Sequence, residues 1–241
     1  MFAIGRAWYH IRVMAGSEYN PAPYMRWSKR HPGARYDLAG SNLLACTPAE
    51  LPGLFDGVGY CGDNDDGYPP LVGAIAGRFG VAPENVAVAP GASGANFLAC
   101  AAALQPGDDA LFESPGYDPM AAAARMVGAR VITFDRVYEE GWGIDVGRVE
   151  DAMTERTRLI MLTSPHNPSG VASPPETIQA LGELAAGRGA LVLVDEVYRD
   201  AIHRDATRSA PAGLAAGIHP ACVSVSSLTK SYGLSGLRCG W

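Results

Sequence analysis

"RLIMLTSPHNPSGVASPPETIQALGELAAGRGALVLVD", residues 158–195, has the pattern of a strand, a helix and a second strand. Its two ends, RLIMLT (158–163) and ALVLVD (190–195), are short and almost entirely apolar. Residues 175–187 lie between them and start at a proline, which is typical of the first turn of a helix. Apolar strands that are joined by helices are typical of parallel sheets with both faces covered. The segment therefore predicts one strand–helix–strand unit of such a sheet.

The same alternation continues on both sides of this unit. Before it, the sequence predicts strands at 85–89, 109–113 and 129–134 and helices at 69–80, 93–105, 117–127 and 145–154; after it, a helical turn near 196–204 and a strand at 221–226. Residues 1–67 are irregular and rich in Pro and Gly, and they predict an N-terminal arm that precedes a main domain at 68–241. The predicted fold class is α/β, a three-layer α/β/α sandwich around a mostly parallel sheet.

The composition argues against several functional classes. The 241 residues carry a net charge of −6, so the chain lacks the basic field of a nucleic-acid-binding protein. The five cysteines form no C-x-x-C pair, which argues against a disulfide framework and against a zinc site. No apolar run approaches the length of a membrane span, about 18 residues. We expect a cytoplasmic protein with no metal, no nucleic-acid partner and no membrane partner.

Polar and conformationally special residues follow five of the predicted strands. They lie in the loops 90–96, 114–119, 164–170, 195–200 and 227–233. In open parallel sheets, ligands bind beyond the carboxyl ends of the strands. The sequence therefore predicts a site at this edge of the sheet.

The segment GASGAN (91–96) lies between a predicted strand and a predicted helix. The backbone N–H groups of Ala92, Ser93 and Gly94 would point outward there, and the helix dipole favours an anion such as a phosphate. An ordinary helix cap at Ser93 explains the same residues, and the segment by itself does not decide between the two.

Asp195 and Lys230 have unusual surroundings for charged residues. Asp195 directly follows four apolar residues, so its carboxylate needs a partner: a protonated ring nitrogen of a ligand would serve, and a helix cap is the alternative. Lys230 follows an apolar strand, between Thr229 and Ser231, with no carboxylate nearby in sequence. Arg238 would lower the pKa of Lys230 further, and a neutral lysine amine favours Schiff-base chemistry with an aldehyde. The alternative is an ordinary solvated lysine.

The polar residues of these loops stand in the order and spacing of one enzyme family. Over about residues 68–241 the chain resembles the fold-type I pyridoxal-phosphate enzymes, specifically the class I/II aminotransferases. The residues that carry the resemblance most clearly are Asn167, Asp195, Tyr198, Lys230 and Arg238. The resemblance implies pyridoxal 5'-phosphate as the cofactor.

The resemblance also implies a role for each matched residue. Lys230 would hold the cofactor as a Schiff base and then move protons, and Asp195 would pair with the nitrogen of the cofactor ring. Tyr117 would stack on the face of that ring. The remaining matches are Asn167 and Tyr198 at the phenolic oxygen of the ring, and Ala92, Ser93, Gly94, Ser227 and Arg238 at the phosphate.

Three further implications concern the partner subunit, the substrate and the length of the chain. Tyr68 resembles the residue that reaches the phosphate in the partner subunit, which implies a homodimer. Gly40 lies where these enzymes place a loop near the substrate carboxylate, although the usual Gly-x-Pro-Asp pattern is absent. Relatives of this kind continue beyond the segment that ends at Trp241, so we expect a C-terminally truncated chain without the small domain.

The function that the resemblance implies is transamination, in which an L-amino acid gives its amino group to a 2-oxo acid. Three alternatives stay open. Another reaction on the same scaffold, such as that of a C–S lyase, a decarboxylase or a cyclising synthase, would use the same coenzyme residues. A coenzyme-binding module of a DNA-binding regulator would need a basic winged-helix segment before the fold, for which residues 1–35 are too short. The third alternative is an inactive coenzyme-binding fragment.

Overall fold

The computed structural model describes residues 22–28, 35, 40–53, 56–57, 59, 61–62, 67–201 and 213–241. Much of the predicted N-terminal arm lies outside these ranges, so the division of the chain at residue 68 stays a prediction. The end of the predicted helical turn, 202–204, also lies outside the described residues. The first part of the predicted turn, 196–201, contains a 3-10 turn at Arg199–Ala201.

Helices and strands alternate along most of the described chain. The helices are α1 (Pro23–Ser28), α2 (Pro69–Phe79), α3 (Gly91–Ala103), α4 (Asp118–Met126), α5 (Val146–Ala152), α6 (Pro175–Gly187) and α7 (Ala215–Ile218). The strands are β1 (Ala89–Pro90), β2 (Asp109–Ser114), β3 (Arg130–Asp135), β4 (Thr157–Thr163), β5 (Leu191–Asp195), β6 (Cys222–Val225) and β7 (Cys239–Gly240).

Five of these strands form one parallel sheet. Their order is β3-β2-β4-β5-β6, and every neighbouring pair runs in the same direction. The strand–helix–strand unit predicted from residues 158–195 is confirmed: β4, α6 and β5 follow one another along the chain, and β4 and β5 are neighbours in the sheet. The α/β fold with a mostly parallel sheet is therefore confirmed.

The predicted strand at 85–89 is wrong. Residues Pro83–Asn85 form a 3-10 turn, and only Ala89–Pro90 is a strand. This short strand, β1, pairs antiparallel with β7 in a separate two-stranded sheet. A proline favours the first position of such a turn because its φ angle is fixed near the helical value, so Pro83 shortens the extended segment.

The hydrophobic core lies on both faces of the sheet. Leu159 and Met161 of β4 belong to a buried cluster with Met120 of α4. Ile160, between them in the strand, belongs to the opposite cluster with Leu181 of α6. Successive side chains of a strand point to opposite faces, so one strand contributes to both layers. The three-layer arrangement follows from this.

The carboxyl ends of the central strands meet at one edge of the sheet. β2, β4, β5 and β6 end at Ser114, Thr163, Asp195 and Val225, so the loops that follow them are neighbours. This edge is where the sequence predicts the site. Within the described ranges, no helix is long and apolar enough to cross a membrane.

Candidate active site

A cavity of about 450 Å³ lies at the carboxyl edge of the sheet. Nine of the residues predicted from the sequence line it: Ala92, Ser93, Tyr117, Asn167, Asp195, Tyr198, Ser227, Lys230 and Arg238. They come from five separate segments of the chain, and the parallel sheet brings them together. Further lining residues, which the sequence did not predict, include Asn42, Thr163 and Thr229.

Three predicted residues lie outside this lining. Gly94 belongs to the first turn of α3, where a Cβ atom would lie 2.9 Å from the ring of Pro90. Gly40 is exposed and precedes Ser41, which does reach the site. Tyr68 is 62% exposed, just before α2. Its contact with a partner subunit stays a prediction.

Asp195, the last residue of β5, is 2% exposed. Its Oδ2 accepts a hydrogen bond from Asn96 Nδ2 at 2.8 Å, and its Oδ1 accepts one from the backbone N–H of Val197 at 3.1 Å. Burial raises the pKa of this carboxyl, whereas the two hydrogen bonds and the charge of Lys230 lower it. Among the described residues, no cation forms an ion pair with it at 4.0 Å or less. A protonated ring nitrogen of a ligand in the cavity would supply the missing positive charge.

Lys230 lies in the turn that follows β6. Its Nζ donates a hydrogen bond to Ser41 Oγ at 2.6 Å and lies 5.8 Å from the ring centre of Tyr198. The backbone N–H of Leu43 donates to the carbonyl oxygen of Lys230 at 3.2 Å. The segment that contains Ser41 therefore contacts both the side chain and the backbone of this lysine.

The pKa of Lys230 is lowered, as the sequence predicts, but the additional effect predicted for Arg238 is absent. Burial of the amine lowers the pKa, and the nearby charge of Asp195 raises it again. Arg238 is not among the groups that change this pKa, and its guanidinium donates hydrogen bonds to the carbonyl oxygens of Pro90 and Ser235, each at 3.4 Å. The carboxylate near Lys230 is distant in sequence and comes from the neighbouring strand, so local sequence did not reveal it.

The N-terminus of α3 and Arg238 also line the cavity. α3 begins at Gly91, whose φ is +79°, and its first N–H groups have no partner within the helix. A Cβ atom at position 91 would lie 2.5 Å from Nη2 of Arg238, so the guanidinium occupies the space that a side chain would need. A positive side chain beside a helix N-terminus is a site for an anion such as a phosphate.

Comparison with known proteins agrees with this geometry. Residues 61–241 match the family model described as aminotransferase class I and II. The chain is 31% identical over 183 residues to an aspartate aminotransferase of Streptomyces avermitilis, a match that covers 73% of this chain and 44% of that protein. It is 35% identical over 158 residues to an arginine–pyruvate transaminase of Pseudomonas aeruginosa. That match covers 66% of this chain and 40% of the transaminase.

This chain belongs to the aminotransferase class I and II family. Among solved structures, it is similar to a PLP-dependent aminotransferase from Streptococcus suis, with a TM-score of 0.82 and 26% identity. That match covers 93% of this chain and 62% of the other. The chain spans less than half the length of the two curated relatives named above.

The family uses pyridoxal phosphate, abbreviated PLP, and the described residues of this aminotransferase-family chain fit that group. The helix N-terminus at Gly91 and the guanidinium of Arg238 suit its phosphate. In the same cavity, the buried carboxylate of Asp195 has no ion-pair partner among the residues that the structure describes, and it suits the ring nitrogen of PLP. The amine of Lys230 faces the same cavity and suits its aldehyde. The phosphate, ring nitrogen and aldehyde thus each find a chemically matched group.

Besides these lining residues, two residues that contact the site of this aminotransferase-family chain were not predicted from the sequence. Asn96 is 2% exposed, donates to Asp195 and leaves its own Oδ1 buried without a hydrogen-bond partner among the described residues. Ser41 forms hydrogen bonds with both Lys230 and Tyr198. Burial raises the pKa of Tyr198, and the hydrogen bond with Ser41 opposes that rise. A polar side chain in the otherwise apolar run of α3 was the available signal for Asn96. No comparable signal marked Ser41.

Proposed function

We propose that this chain is the cofactor-binding part of an aminotransferase that moves an amino group from an L-amino acid to a 2-oxo acid. The observation that carries the proposal is the meeting of Lys230, Asp195 and Arg238 in one cavity at the carboxyl edge of the sheet. Their amine, carboxylate and guanidinium together suit one ligand. The family membership supports the same reaction.

Lys230 is the nucleophile in this proposal. Its amine is partly buried and its pKa is lowered, so a larger fraction is neutral near physiological pH than for an ordinary lysine. In this neutral form the amine would hold PLP through the aldehyde group of the cofactor. During the reaction the same amine would hold and move the proton of the substrate α carbon.

Asp195 keeps a negative charge beside the ring nitrogen. Its two hydrogen bonds, from Asn96 and from Val197, stabilise the ionised carboxylate in a buried place. When bound, PLP supplies an electron-accepting ring for bond changes at the substrate α carbon, and a protonated ring nitrogen makes it a better acceptor. Asn167 and Tyr198 would contact the phenolic oxygen, and Tyr117 the ring face.

The remaining parts of the proposal concern the substrate, the partner and the location. Gly40, beside Ser41, would lie near the substrate carboxylate, and Tyr68 would reach the phosphate of a second copy in a homodimer. We also propose that the protein is cytoplasmic. A C–S lyase, decarboxylase or cyclising synthase would share the same coenzyme residues, and the use of a 2-oxo acid as amino acceptor distinguishes transamination from them.

The covalent role of Lys230 has a direct test, because the chain contains only two lysines, Lys29 and Lys230. PLP is added to the purified protein, the C=N bond is reduced with borohydride, and the labelled residue is located by mass spectrometry. We expect label on Lys230 in the wild type and in Lys29→Ala, and loss of the visible absorbance band in Lys230→Ala. A folded Lys230→Ala variant that keeps the band and the label would contradict the proposal.

A further inference from the structure

A buried ion pair connects the carboxyl ends of β2 and β3. Glu113 Oε2 accepts a hydrogen bond from Arg136 Nη1 at 2.8 Å, and neither side chain is exposed to solvent. Arg136 Nε also donates to the carbonyl oxygen of Trp142 at 2.7 Å. A buried ion pair seldom stabilises a fold more than apolar residues of similar size would. This pair therefore suggests a role other than stability.

The other carboxylate oxygen of Glu113 binds Thr163, the last residue of β4. Glu113 Oε1 accepts hydrogen bonds from the Thr163 backbone N–H at 2.7 Å and from its hydroxyl at 2.6 Å. Thr163 Oγ1 in turn accepts a hydrogen bond from the backbone N–H of Asn167 at 2.8 Å. A continuous set of hydrogen bonds thus leads from Arg136 to a residue that lines the cavity.

The donor and acceptor roles in this set are fixed by chemistry. An ionised carboxylate only accepts, so the single hydroxyl proton of Thr163 points to Glu113 and an oxygen lone pair faces Asn167. Burial raises the pKa of Glu113 to about 7, while the hydrogen bonds from Thr163 and Arg136 oppose that rise. Above this pH the carboxylate is ionised and the direction of every bond is determined.

His166 packs beside the ion pair and stays neutral. Its Nε2–H donates to the carbonyl oxygen of Pro115 at 2.8 Å, and its Nδ1 accepts from the hydroxyl of Ser169 at 2.7 Å. A carbonyl oxygen can only accept, which assigns the proton to Nε2. Burial lowers the pKa of His166 to about 4, and Arg136 adds to this effect. His166 therefore does not compete with Thr163 for the charge of Glu113, although its Nε2 lies 3.9 Å from that carboxylate.

We propose that Glu113, acting through the hydroxyl of Thr163, is a positioning residue for Asn167. The inference rests on the proposed function, in which Asn167 contacts the phenolic oxygen of the cofactor ring. Asn167 lies on the loop 164–170, outside the sheet, and its own N–H is bonded to the end of β4 rather than to a neighbouring loop. Glu113 and Arg136 extend that connection to two further strands of the sheet.

The geometry is tested first by hydrogen exchange of the Asn167 amide, which needs no cofactor. Thr163→Val keeps the shape of the side chain but removes the acceptor, so we expect about tenfold faster exchange at Asn167. Thr163→Ser keeps the hydroxyl and should retain the protection of the wild type. Unchanged exchange in Thr163→Val would overturn the inference.

The functional consequence is tested by the visible absorbance of bound PLP, titrated against pH. We expect Asn167→Ala and Thr163→Val to shift the midpoint in the same direction, and the double variant to shift it no further than Asn167→Ala alone, because Thr163 acts through Asn167. Additive shifts would contradict this, as would a Thr163→Val protein that melts at a lower temperature with an unchanged midpoint. If the wild type shows no absorbance band at all, the proposed function fails, and the exchange experiment still decides whether Thr163 positions Asn167.

Glu113 is tested together with Arg136, because a variant of either alone would leave the other charge buried and unpaired. The double variant Glu113→Gln/Arg136→Met is uncharged and retains an amide oxygen that can accept from Thr163. We expect faster exchange at Asn167 than in the wild type but slower than in Thr163→Val, because a neutral acceptor forms a weaker hydrogen bond than a carboxylate. Exchange equal to the wild type would remove Glu113 from the proposed role.

Discussion

Lys230 and Asp195 influence each other across the cavity. Burial disfavours the charged form of both residues, so it lowers the pKa of the amine and raises that of the carboxyl. The opposite charge of each partner counteracts this effect in the other. The balance keeps the amine easier to deprotonate than an ordinary lysine while the carboxylate remains close by.

The first prediction concerns the ionisation of Lys230 in the wild type. A lowered folded-state pKa means that the amine becomes neutral, and reactive, at a lower pH than the ordinary value of 10.5. Trace acetylation at a series of pH values, read by mass spectrometry, measures this for both lysines in one sample. We expect the midpoint of Lys230 to lie below 10.5. An equal or higher midpoint would show that burial does not control this amine.

The variant Asp195→Asn tests whether the charge of Asp195 raises or lowers the pKa of Lys230. The carboxylate of Asp195 raises the pKa of Lys230, so its removal should move the midpoint to still lower pH. Asp151→Asn, an exposed aspartate on α5, is the matched control and should leave the midpoint unchanged. A midpoint that rises in Asp195→Asn would reverse the proposed interaction.

At the scale of elements, the start of α3 determines where an anion can bind. The positive φ of Gly91 lets the chain turn from β1 directly into α3, a helix of 13 residues whose N-terminal N–H groups face the cavity through Ala92 and Ser93. Arg238, from the segment before β7, lies against this turn, and β7 pairs with β1. The small antiparallel sheet therefore fixes the arginine relative to the helix.

The second prediction is that Gly91→Ala weakens the binding of PLP by about tenfold or more, because the added methyl group displaces the guanidinium of Arg238 from the phosphate end of the cavity. Gly80→Ala is the matched control: Gly80 also has a positive φ, +67°, but open space around its Cβ position. Both variants should lose about 1 kcal/mol of stability from the unfavourable φ. Fluorescence titration with PLP should distinguish them, and equal affinities would contradict the assignment of Arg238.

At the scale of the whole molecule, apolar side chains remain on the surface of the described part of the chain. Phe97 and Leu98 of α3 are exposed on the same helix whose N-terminus faces the cavity, and Leu98 keeps 50% of its area in contact with water. Tyr68 is exposed just before α2. Exposed apolar surface next to a site is typical of a protein–protein interface. This agrees with the homodimer that we propose.

The third prediction is that the protein forms dimers and that Leu98→Asp raises the dissociation constant at least about tenfold, since a buried unpaired charge is costly at an interface. Sedimentation velocity over a range of protein concentrations measures this. Tyr138→Asp, at a 72% exposed aromatic residue that follows the edge strand β3, is the control and should sediment like the wild type. A wild type that stays monomeric at every concentration would contradict the homodimer.

The sequence alone determined the fold class and most residues of the candidate site. Continuous apolar strands predicted the parallel sheet, because a sheet that is buried on both faces requires such strands. Prolines at the first turn predicted where helices begin, because such signals act within a few residues of the helix start. The ends of the strands then indicated Asp195 and Lys230, since parallel strands present their carboxyl ends at one edge, whereas Asn167 was predicted from the resemblance to the family.

Only the tertiary structure decided which groups surround those residues. The hydrogen bond of Asn96 to Asp195, the contact of Ser41 with Lys230 and the path from Glu113 through Thr163 to Asn167 all join residues that are distant in sequence. Local patterns determine how one segment folds. The pKa of a side chain, in contrast, depends on the charges, hydrogen bonds and solvent exclusion that other segments bring to it, and these exist only once the sheet has assembled.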